Sequence, residues 1–267
     1  MTATVTYSDT EMTERLTSLG VQQSDCLFVH SGLRALGKFV PTRVHQGFDG
    51  LLQVLLEAVG ETGTIVVPTF NFSFCKGKAY DRQNTPCEGM GAFSEFVRQH
   101  PSSVRSRHPF QSVAAIGALA REIGAIQSRT AFSSGSAFDI MLQNNCKILF
   151  FGVDFVETFV HVAEERANVS YRFWKTFTAD FIDNGVSNRI SVDFFARKLD
   201  LVPEPEIDNS KLGRVMREKK VIKTENLGAG RISICSAVNL VGELTKQLLE
   251  DPYYALTARP TESMASA

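Results

Sequence analysis

The amino-acid sequence predicts an α/β fold. We expect one layered domain over residues 1–267, with a mostly parallel central sheet flanked by helices and a smaller β-rich portion. Short apolar runs of strand length alternate with segments whose apolar residues recur at helical spacing. Such alternation is typical of parallel strands joined by crossover helices. Two segments rich in β-forming residues, 171–178 and 188–195, break the alternation and predict the β-rich portion.

The elements follow each other along the whole chain. The strands are predicted where short apolar runs occur, at residues 26–29, 64–67, 113–116, 147–152 and 232–235. The helices are predicted where apolar residues have helical spacing, at 8–19, 48–59, 92–100, 119–126, 136–142, 157–167, 210–218 and 236–249. Ser8 and Glu11 form a capping box at the first helix. Residues 71–91 form an irregular polar loop of a length that is often functional, and the tail after about 259 is expected to fray.

Composition excludes several kinds of partner. The chain has 28 Lys and Arg against 29 Asp and Glu, a net charge of −1, so it has no strong field for a nucleic acid or an acidic membrane. Its five cysteines include no Cys-x-x-Cys pair, which predicts reduced thiols. There is neither a signal-peptide pattern nor an apolar run near 18 residues, so we expect a soluble cytoplasmic protein.

One histidine stands among acids. In a helix, Glu157, Glu164 and Glu165 lie one turn from His161, and Asp154 comes shortly before. A carboxylate that binds one imidazole nitrogen fixes the tautomer and stabilises the imidazolium, which is how a general base is built. A surface histidine with ordinary salt-bridge neighbours is the alternative interpretation.

Two further stretches carry polar side chains at strand ends. The turn His30-Ser31-Gly32 follows an apolar strand, where small residues let a ligand approach. Residues 105–112, RSRHPFQS, combine cations, hydroxyls and an imidazole that suit a phosphate or pantetheine amides. Each stretch is also compatible with an ordinary turn.

Known site motifs are missing from the sequence. It has no GxGxxG loop, no complete GxxxxGK[ST] phosphate loop, no HExxH zinc motif and no GxSxG nucleophile elbow. A metal-dependent hydrolase using His30, His108 and His161 stays open as an alternative, as does a non-catalytic acyl-CoA or nucleotide-sugar binding module.

The order of six motifs resembles one family. These are LFVHSGLRALG (27–37), GTIVVPTFNF (63–72), NTPCEGMGAFSEFVR (84–98), RSRHPFQSVAAIG (105–117), KILFFGVDFVETFVHVAEE (147–165) and LLEDP (248–252). The chain resembles the aminoglycoside 3-N-acetyltransferases, which are distinct from the GNAT fold, over about residues 10–256.

The resemblance implies transfer of an acetyl group from acetyl-CoA to an amine, with no metal. It makes His161 the general base and places Thr158 and Glu164 in the catalytic motif, with Asp154 nearby. The coenzyme A side is implied for two strand ends and the 105–112 stretch, namely His30, Ser31, Gly32, Leu33, Thr69, Phe70, Arg105, Ser106, His108, Phe110 and Ser112. One departure is Ala137, which follows Ser136 where the family usually has proline.

The acceptor is an amine on a small molecule. The β-rich portion is the expected substrate side, and the residues assigned to it are Asp81, Glu88, Glu157, Arg166, Tyr171 and Arg172. Because the chain is near neutral and residues 166–175 combine cations with aromatics, we favour an amino sugar, such as a nucleotide-linked one. Aminoglycoside resistance is the alternative within the family. The sequence leaves open whether the chain forms a homo-oligomer.

Overall fold

The computed structural model describes residues 5–42, 44–156 and 158–262. The α-helices of this part are α1 (Asp9–Ser18), α2 (Gly47–Val59), α3 (Ala92–Gln99), α4 (Ala120–Ala125), α5 (Ala137–Gln143), α6 (Val160–Ala167), α7 (Asn209–Glu218) and α8 (Ala237–Glu250). Its strands are β1 (Thr6–Tyr7), β2 (Cys26–Ser31), β3 (Lys38–Phe39), β4 (Thr64–Pro68), β5 (Tyr80–Asp81), β6 (Val104–Arg105), β7 (Val113–Gly117), β8 (Lys147–Phe151), β9 (Arg172–Asp183), β10 (Val186–Arg197), β11 (Leu201–Val202), β12 (Lys223–Leu227), β13 (Gly230–Ser236) and β14 (Thr261–Glu262).

The main sheet has the strand order β12-β13-β8-β2-β4-β7-β6 within the described residues. Its three middle strands, β8, β2 and β4, are parallel, and the flanking pairings are antiparallel. The α/β class is confirmed, and the sheet is mixed: parallel pairing is confined to the three central strands. The carboxyl ends of β2, β4 and β8 therefore lie at one edge, where ligands collect in such folds.

Helices cover both faces of this sheet. Alternate residues of β2 point to opposite faces, so that Phe28 packs among α5, α6 and α8 and Val29 packs among α1, α2 and α3. The same alternation in β8 directs Phe150 to the first layer and Phe151 to the second. Two apolar cores, one on each face, hold the central strands rigidly and fix the positions of the loops that follow them.

The predicted β-rich portion is a long hairpin. Strands β9 and β10 pair antiparallel over their full length, and β5 adds a short parallel strand to β9. One face of this sheet packs on a small cluster that includes Phe110, Ala179 and Phe181. The opposite face carries mostly exposed side chains.

Element ends differ from expectation in a few places. Ser8 caps α1 through the Glu11 N–H as predicted. The helix predicted from residue 157 begins at Val160. Strand β12 was not predicted, because its sequence KTENL is almost entirely polar and lies at the sheet edge. Thr261–Glu262, in the tail expected to fray, pairs with β11.

Helix α5 forms despite the missing proline. Ser136 caps it by accepting a hydrogen bond from the Asp139 N–H, and Ala137 occupies the first helical position. Proline is favoured at that position without being required, because the position needs only a helical φ and a dispensable N–H.

No helix in the described residues is long and apolar enough to cross a lipid bilayer.

Candidate active site

His161 lies in the first turn of α6, just beyond the carboxyl end of β8. Its N–H donates to the Thr158 carbonyl at 3.1 Å, which ties the start of the helix to the preceding loop. The His161 side chain is 28% exposed, so one part of the ring is buried and another faces solvent. The ring of Phe132 packs beside it, 5.5 Å between centroids.

Glu164 holds the imidazole from one side. Its Oε2 lies 2.5 Å from His161 Nδ1. The Arg172 guanidinium is near the same nitrogen, with Nη2 at 3.3 Å. An ionised carboxylate at the shorter distance requires a proton on Nδ1, so the neutral ring carries its lone pair on Nε2. Proton transfer from a substrate would therefore use Nε2.

Glu164 is itself fully buried and fully engaged. Its Oε1 accepts a hydrogen bond from the Tyr171 hydroxyl at 2.7 Å and pairs with Arg172 Nε at 2.9 Å. Burial would raise the pKa of this carboxyl, but the charge of Arg172 and the contact with His161 overcome it and hold the pKa at about 2. Glu164 is a permanent anion behind the ring.

The pKa of His161 is lowered. Burial disfavours the imidazolium more strongly than the Glu164 carboxylate favours it, and Arg172 adds to the lowering. The ring is therefore neutral at pH 7, with a free lone pair on Nε2. A neutral imidazole with a carboxylate behind it can accept a proton and stabilise the cation that results.

Two cavities meet at the carboxyl edge of the sheet. The smaller, about 340 Å³, has Thr158 and His30 in its wall, together with Phe70, Met90 and Val153. The larger, about 640 Å³, is bordered by the 31–35 turn, Phe48 and the start of α3. Ser31 and Gly91 line both, so the two cavities are adjacent.

A glycine lets two loops touch at this edge. A Cβ on Gly32 would lie 2.5 Å from Val153 Cγ1 and 2.8 Å from the Gly152 carbonyl oxygen. The Gly32 N–H donates to the Phe151 carbonyl at 2.9 Å. The turn after β2 is thus locked against the turn after β8, and Ser31 and Leu33 are set at the cavity wall.

His30 is buried at the end of β2. Its ring stacks on Phe150, and burial lowers its pKa to about 4. Its Nε2 is buried and has no hydrogen-bond partner among the described residues. Since His30 also lines the smaller cavity, this nitrogen is suited to a polar group of a ligand.

Most residues of the 105–112 stretch are buried, and none of them lines either of these two cavities. Ser106 accepts the Val113 N–H and closes the β6–β7 hairpin. Arg105 donates to Thr69 and Ser112, and its Nη2 binds the Thr69 carbonyl at 2.6 Å. His108 accepts the Gln111 N–H, and burial lowers its pKa to about 3.

The predicted coenzyme A residues thus divide into two groups. Those that line the cavities are His30, Ser31, Gly32, Leu33 and Phe70. Those that are buried and line neither cavity are Thr69, Arg105, Ser106, His108, Phe110 and Ser112.

The predicted substrate-side residues are dispersed. Asp81 binds the backbone of its own turn and pairs with Ile182, ten residues and about 33 Å along β9 from Arg172. Glu88 accepts from Asn71 next to the cavity loop 89–91, and Arg166 is exposed on α6.

The remaining predicted residues are one catalytic residue and three on the substrate side. Asp154 pairs with Arg217 and Arg231, and its side chain is 80% exposed. Tyr171 and Arg172 lie behind Glu164, where they support the histidine. Glu157 lies outside the described residues.

Several cavity residues were missed. Arg34, Phe48 and Phe93 border the larger cavity, and Met90 and Val153 the smaller one. The irregular loop 71–91 was a usable signal, because its end forms part of both walls. The three histidines of the alternative metal site do not form one: no group of three or more His, Cys, Asp or Glu side chains in the described part could hold a metal ion.

Similarity to known proteins agrees with this geometry. A sequence profile of the aminoglycoside 3-N-acetyltransferase family matches residues 28–249. Aminoglycoside N(3)-acetyltransferase III from Salmonella sp. is 29% identical over 187 residues, 62% of this chain and 63% of that protein. The chain thus aligns with a little under two thirds of that relative's length.

Two solved structures share the fold. AAC-IIIb in binary complex with CoASH has a TM-score of 0.80 at 18% identity, covering 96% of this chain and 100% of that one. Sisomicin-bound AAC-VIa has a TM-score of 0.77 at 23% identity, covering 91% and 98%. Because the family profile spans far more than half of the sequence, the chain belongs to the aminoglycoside 3-N-acetyltransferase family.

Proposed function

We propose that the protein transfers an acetyl group from acetyl-CoA to an amino group of an aminoglycoside or a related amino sugar. The observation that carries this proposal is the neutral His161, bound to the buried Glu164 one helical turn after a cavity-lining threonine. Family membership supports it, and so do the two solved relatives, one in complex with CoASH and one bound to sisomicin.

The cavities suit coenzyme A. The smaller one is narrow and mostly apolar, with the unpaired His30 Nε2 available to an amide of pantetheine. The larger one opens beside Arg34 and the N-terminus of α3, which begins at Ala92. An arginine and the N-terminal end of a helix both favour phosphate groups. We therefore place the thioester toward Thr158 and the phosphates toward Arg34.

The chemistry needs one proton acceptor and one donor to an oxyanion. His161 Nε2 removes a proton from the acceptor amine as its nitrogen attacks the thioester carbonyl, and Glu164 stabilises the imidazolium. The carbon–sulfur bond then breaks and the sulfur leaves, receiving the proton to become the thiol of coenzyme A. No covalent intermediate with the protein is needed.

Some candidate oxyanion donors are already engaged. The N–H groups of Gly32 and Thr69 donate to the carbonyls of Phe151 and Ser112. Thr158 is 7% exposed and lies in the wall of the smaller cavity, one turn before the base. We assign its hydroxyl as a donor to the developing oxyanion.

A thiol-release assay tests donor and acceptor together. Purified protein is incubated with acetyl-CoA and each member of a panel: sisomicin, other aminoglycosides, glucosamine and UDP-glucosamine. We expect turnover with aminoglycosides or free amino sugars. Turnover with UDP-glucosamine alone would instead favour the nucleotide-linked acceptor that the mixed cations and aromatics of residues 166–175 first suggest. Absence of thiol release with every amine would overturn the proposal.

The role of His161 is tested by His161→Ala. The exposed His45, two residues before α2, makes the same 2.5 Å contact with Asp49 of that helix, so His45→Ala is the matched control. We expect His161→Ala to lower kcat by about 10²–10⁴-fold, the usual contribution of a general base, while calorimetry shows unchanged coenzyme A binding. His45→Ala should match the wild type. Near-full activity of His161→Ala would remove the proposed role.

A further inference from the structure

The outward face of the β9–β10 hairpin carries an aromatic pair. Side chains alternate along a strand, and Ala179 and Phe181 of β9 face the small apolar cluster. Trp174 therefore belongs to the opposite face, where it is 49% exposed. Its indole packs on the ring of its cross-strand partner Phe195, with 5.1 Å between centroids.

This pair adjoins the candidate active site. Arg172 lies two residues before Trp174 on the same face, about 7 Å along the strand. Its Nη1 donates to the Phe195 carbonyl at 2.9 Å, and its Nη2 lies 3.3 Å from His161 Nδ1. One buried guanidinium thus connects the aromatic pair to the proposed base.

Beyond the aromatic pair, this face is polar. The Thr176 hydroxyl donates to Asp193 Oδ1 at 2.7 Å, and Thr178 shares a hydrogen bond with Ser191. An exposed indole at the end nearest the base, followed by hydroxyls and a carboxylate, has the two properties that a sugar ring requires. The C–H face of the sugar is buried against an aromatic ring, away from water. The hydroxyl groups of the sugar form hydrogen bonds with the polar neighbours.

We propose that Trp174 is a specificity-determining residue on which a sugar ring of the acceptor stacks, with the reacting amine directed toward His161. The inference rests on the proposed function, because it assigns the acceptor side of the same site. Arg172 fixes the geometry, because it contacts Glu164 and His161 on one side and the Phe195 carbonyl on the other and so holds the aromatic pair in place relative to the base.

Kinetics give the first test. Trp174→Ala should raise the acceptor KM about tenfold while the acetyl-CoA KM stays the same, and Trp174→Phe should remain within about threefold of wild type. Phe173→Ala is the matched control, since Phe173 is the neighbouring exposed aromatic, 42% exposed, on the other face of the strand. It should leave both KM values unchanged. An acceptor KM within twofold of wild type for Trp174→Ala, with its melting temperature preserved, would overturn the inference.

Fluorescence gives a second test that needs no turnover. Trp174 is the only tryptophan in the chain, so emission excited at 295 nm reports on this residue alone. Titration with sisomicin or glucosamine should give a saturable change, and titration with coenzyme A should not. A flat response to every amine would contradict the stacking even if acetyl transfer is observed. Emission that depends on protein concentration without ligand would mean that a second copy covers the indole, which also overturns the inference.

If no amine supports thiol release but the amines change the fluorescence saturably, the proposed function fails and the stacking surface stands. The two failures are therefore distinguishable.

Discussion

Replacing Glu164 with glutamine should destabilise the folded protein and remove the ability of His161 to act as a general base. The substitution keeps the size of the side chain and removes its charge. It leaves the Arg172 guanidinium, 4% exposed and 2.9 Å away, without its buried counterion, and it replaces the acceptor that holds His161 Nδ1. Breaking a buried pair by removing one partner costs about 3–5 kcal/mol.

The pKa of Glu164 indicates a similar loss of folding free energy. A carboxyl with a pKa of about 2 in the folded protein and 4.5 in the unfolded chain contributes roughly 3 kcal/mol at neutral pH. Because the folded value is the lower one, this stability is complete above about pH 4.5 and is lost as the pH falls toward 2. For a chain of this size the loss corresponds to a melting temperature lower by about 5 °C.

Glu165 is the control, because its environment acts in the opposite direction. Burial raises the pKa of Glu165 to about 7, although Ser133 donates to it. Its charge therefore opposes folding as the pH rises from about 4.5 to 7, and Glu165→Gln should be neutral or stabilising at pH 7.5. Thermal unfolding of both variants from pH 3 to 8 checks this contrast. Equal losses in the two variants, or a loss under about 1 kcal/mol for Glu164→Gln, would refute the reasoning.

Two other predictions concern the base and the cavity turn. With a saturating donor, kcat/KM for the amine should rise with pH with a midpoint below 6.5 and reach a plateau by pH 7, once ionisation of the amine is corrected for. The reason is that the pKa of His161 is lowered. A midpoint above 7 would contradict a buried neutral base. Gly32→Ala should weaken acetyl-CoA binding at least about tenfold and cost about 1–3 kcal/mol, since its Cβ would overlap Val153 and the Gly152 carbonyl. Gly242→Ala, where a Cβ meets nothing within 4 Å in α8, should be stabilising by up to about 1 kcal/mol. Calorimetric titration measures acetyl-CoA binding and thermal melts measure stability. Equal effects in the two glycine variants would show that the close approach of Gly32 to Val153 and Gly152 is unimportant.

The main elements of the fold could be predicted from local patterns. The central strands are continuous apolar runs because both of their faces are buried, and the helices carry apolar residues at helical spacing because one side of each is packed. Strand direction is a property of the tertiary pairing, which is why β7 and β13 proved antiparallel to their neighbours. Strand β12 is a polar edge strand and gives no periodic signal.

The candidate site could be predicted in part. The spacing of His161 and Glu164 on one helix indicated their contact, since residues three apart share a face. The buried roles of Tyr171 and Arg172 depend on how β9 returns to α6, which no local pattern reveals. Arg105 resembles an anion-binding residue in sequence, but it is 6% exposed and donates to neutral oxygens of the surrounding framework.

A crystal structure of the protein with coenzyme A tests the central claim most directly. We expect pantetheine to pass between His30 and Gly91 and its sulfur to end near Thr158, with His161 Nε2 within about 3–4 Å of the acceptor amine position, or one water away. Pantetheine bound elsewhere, or a ring whose Nε2 faces away from the sulfur, would contradict it.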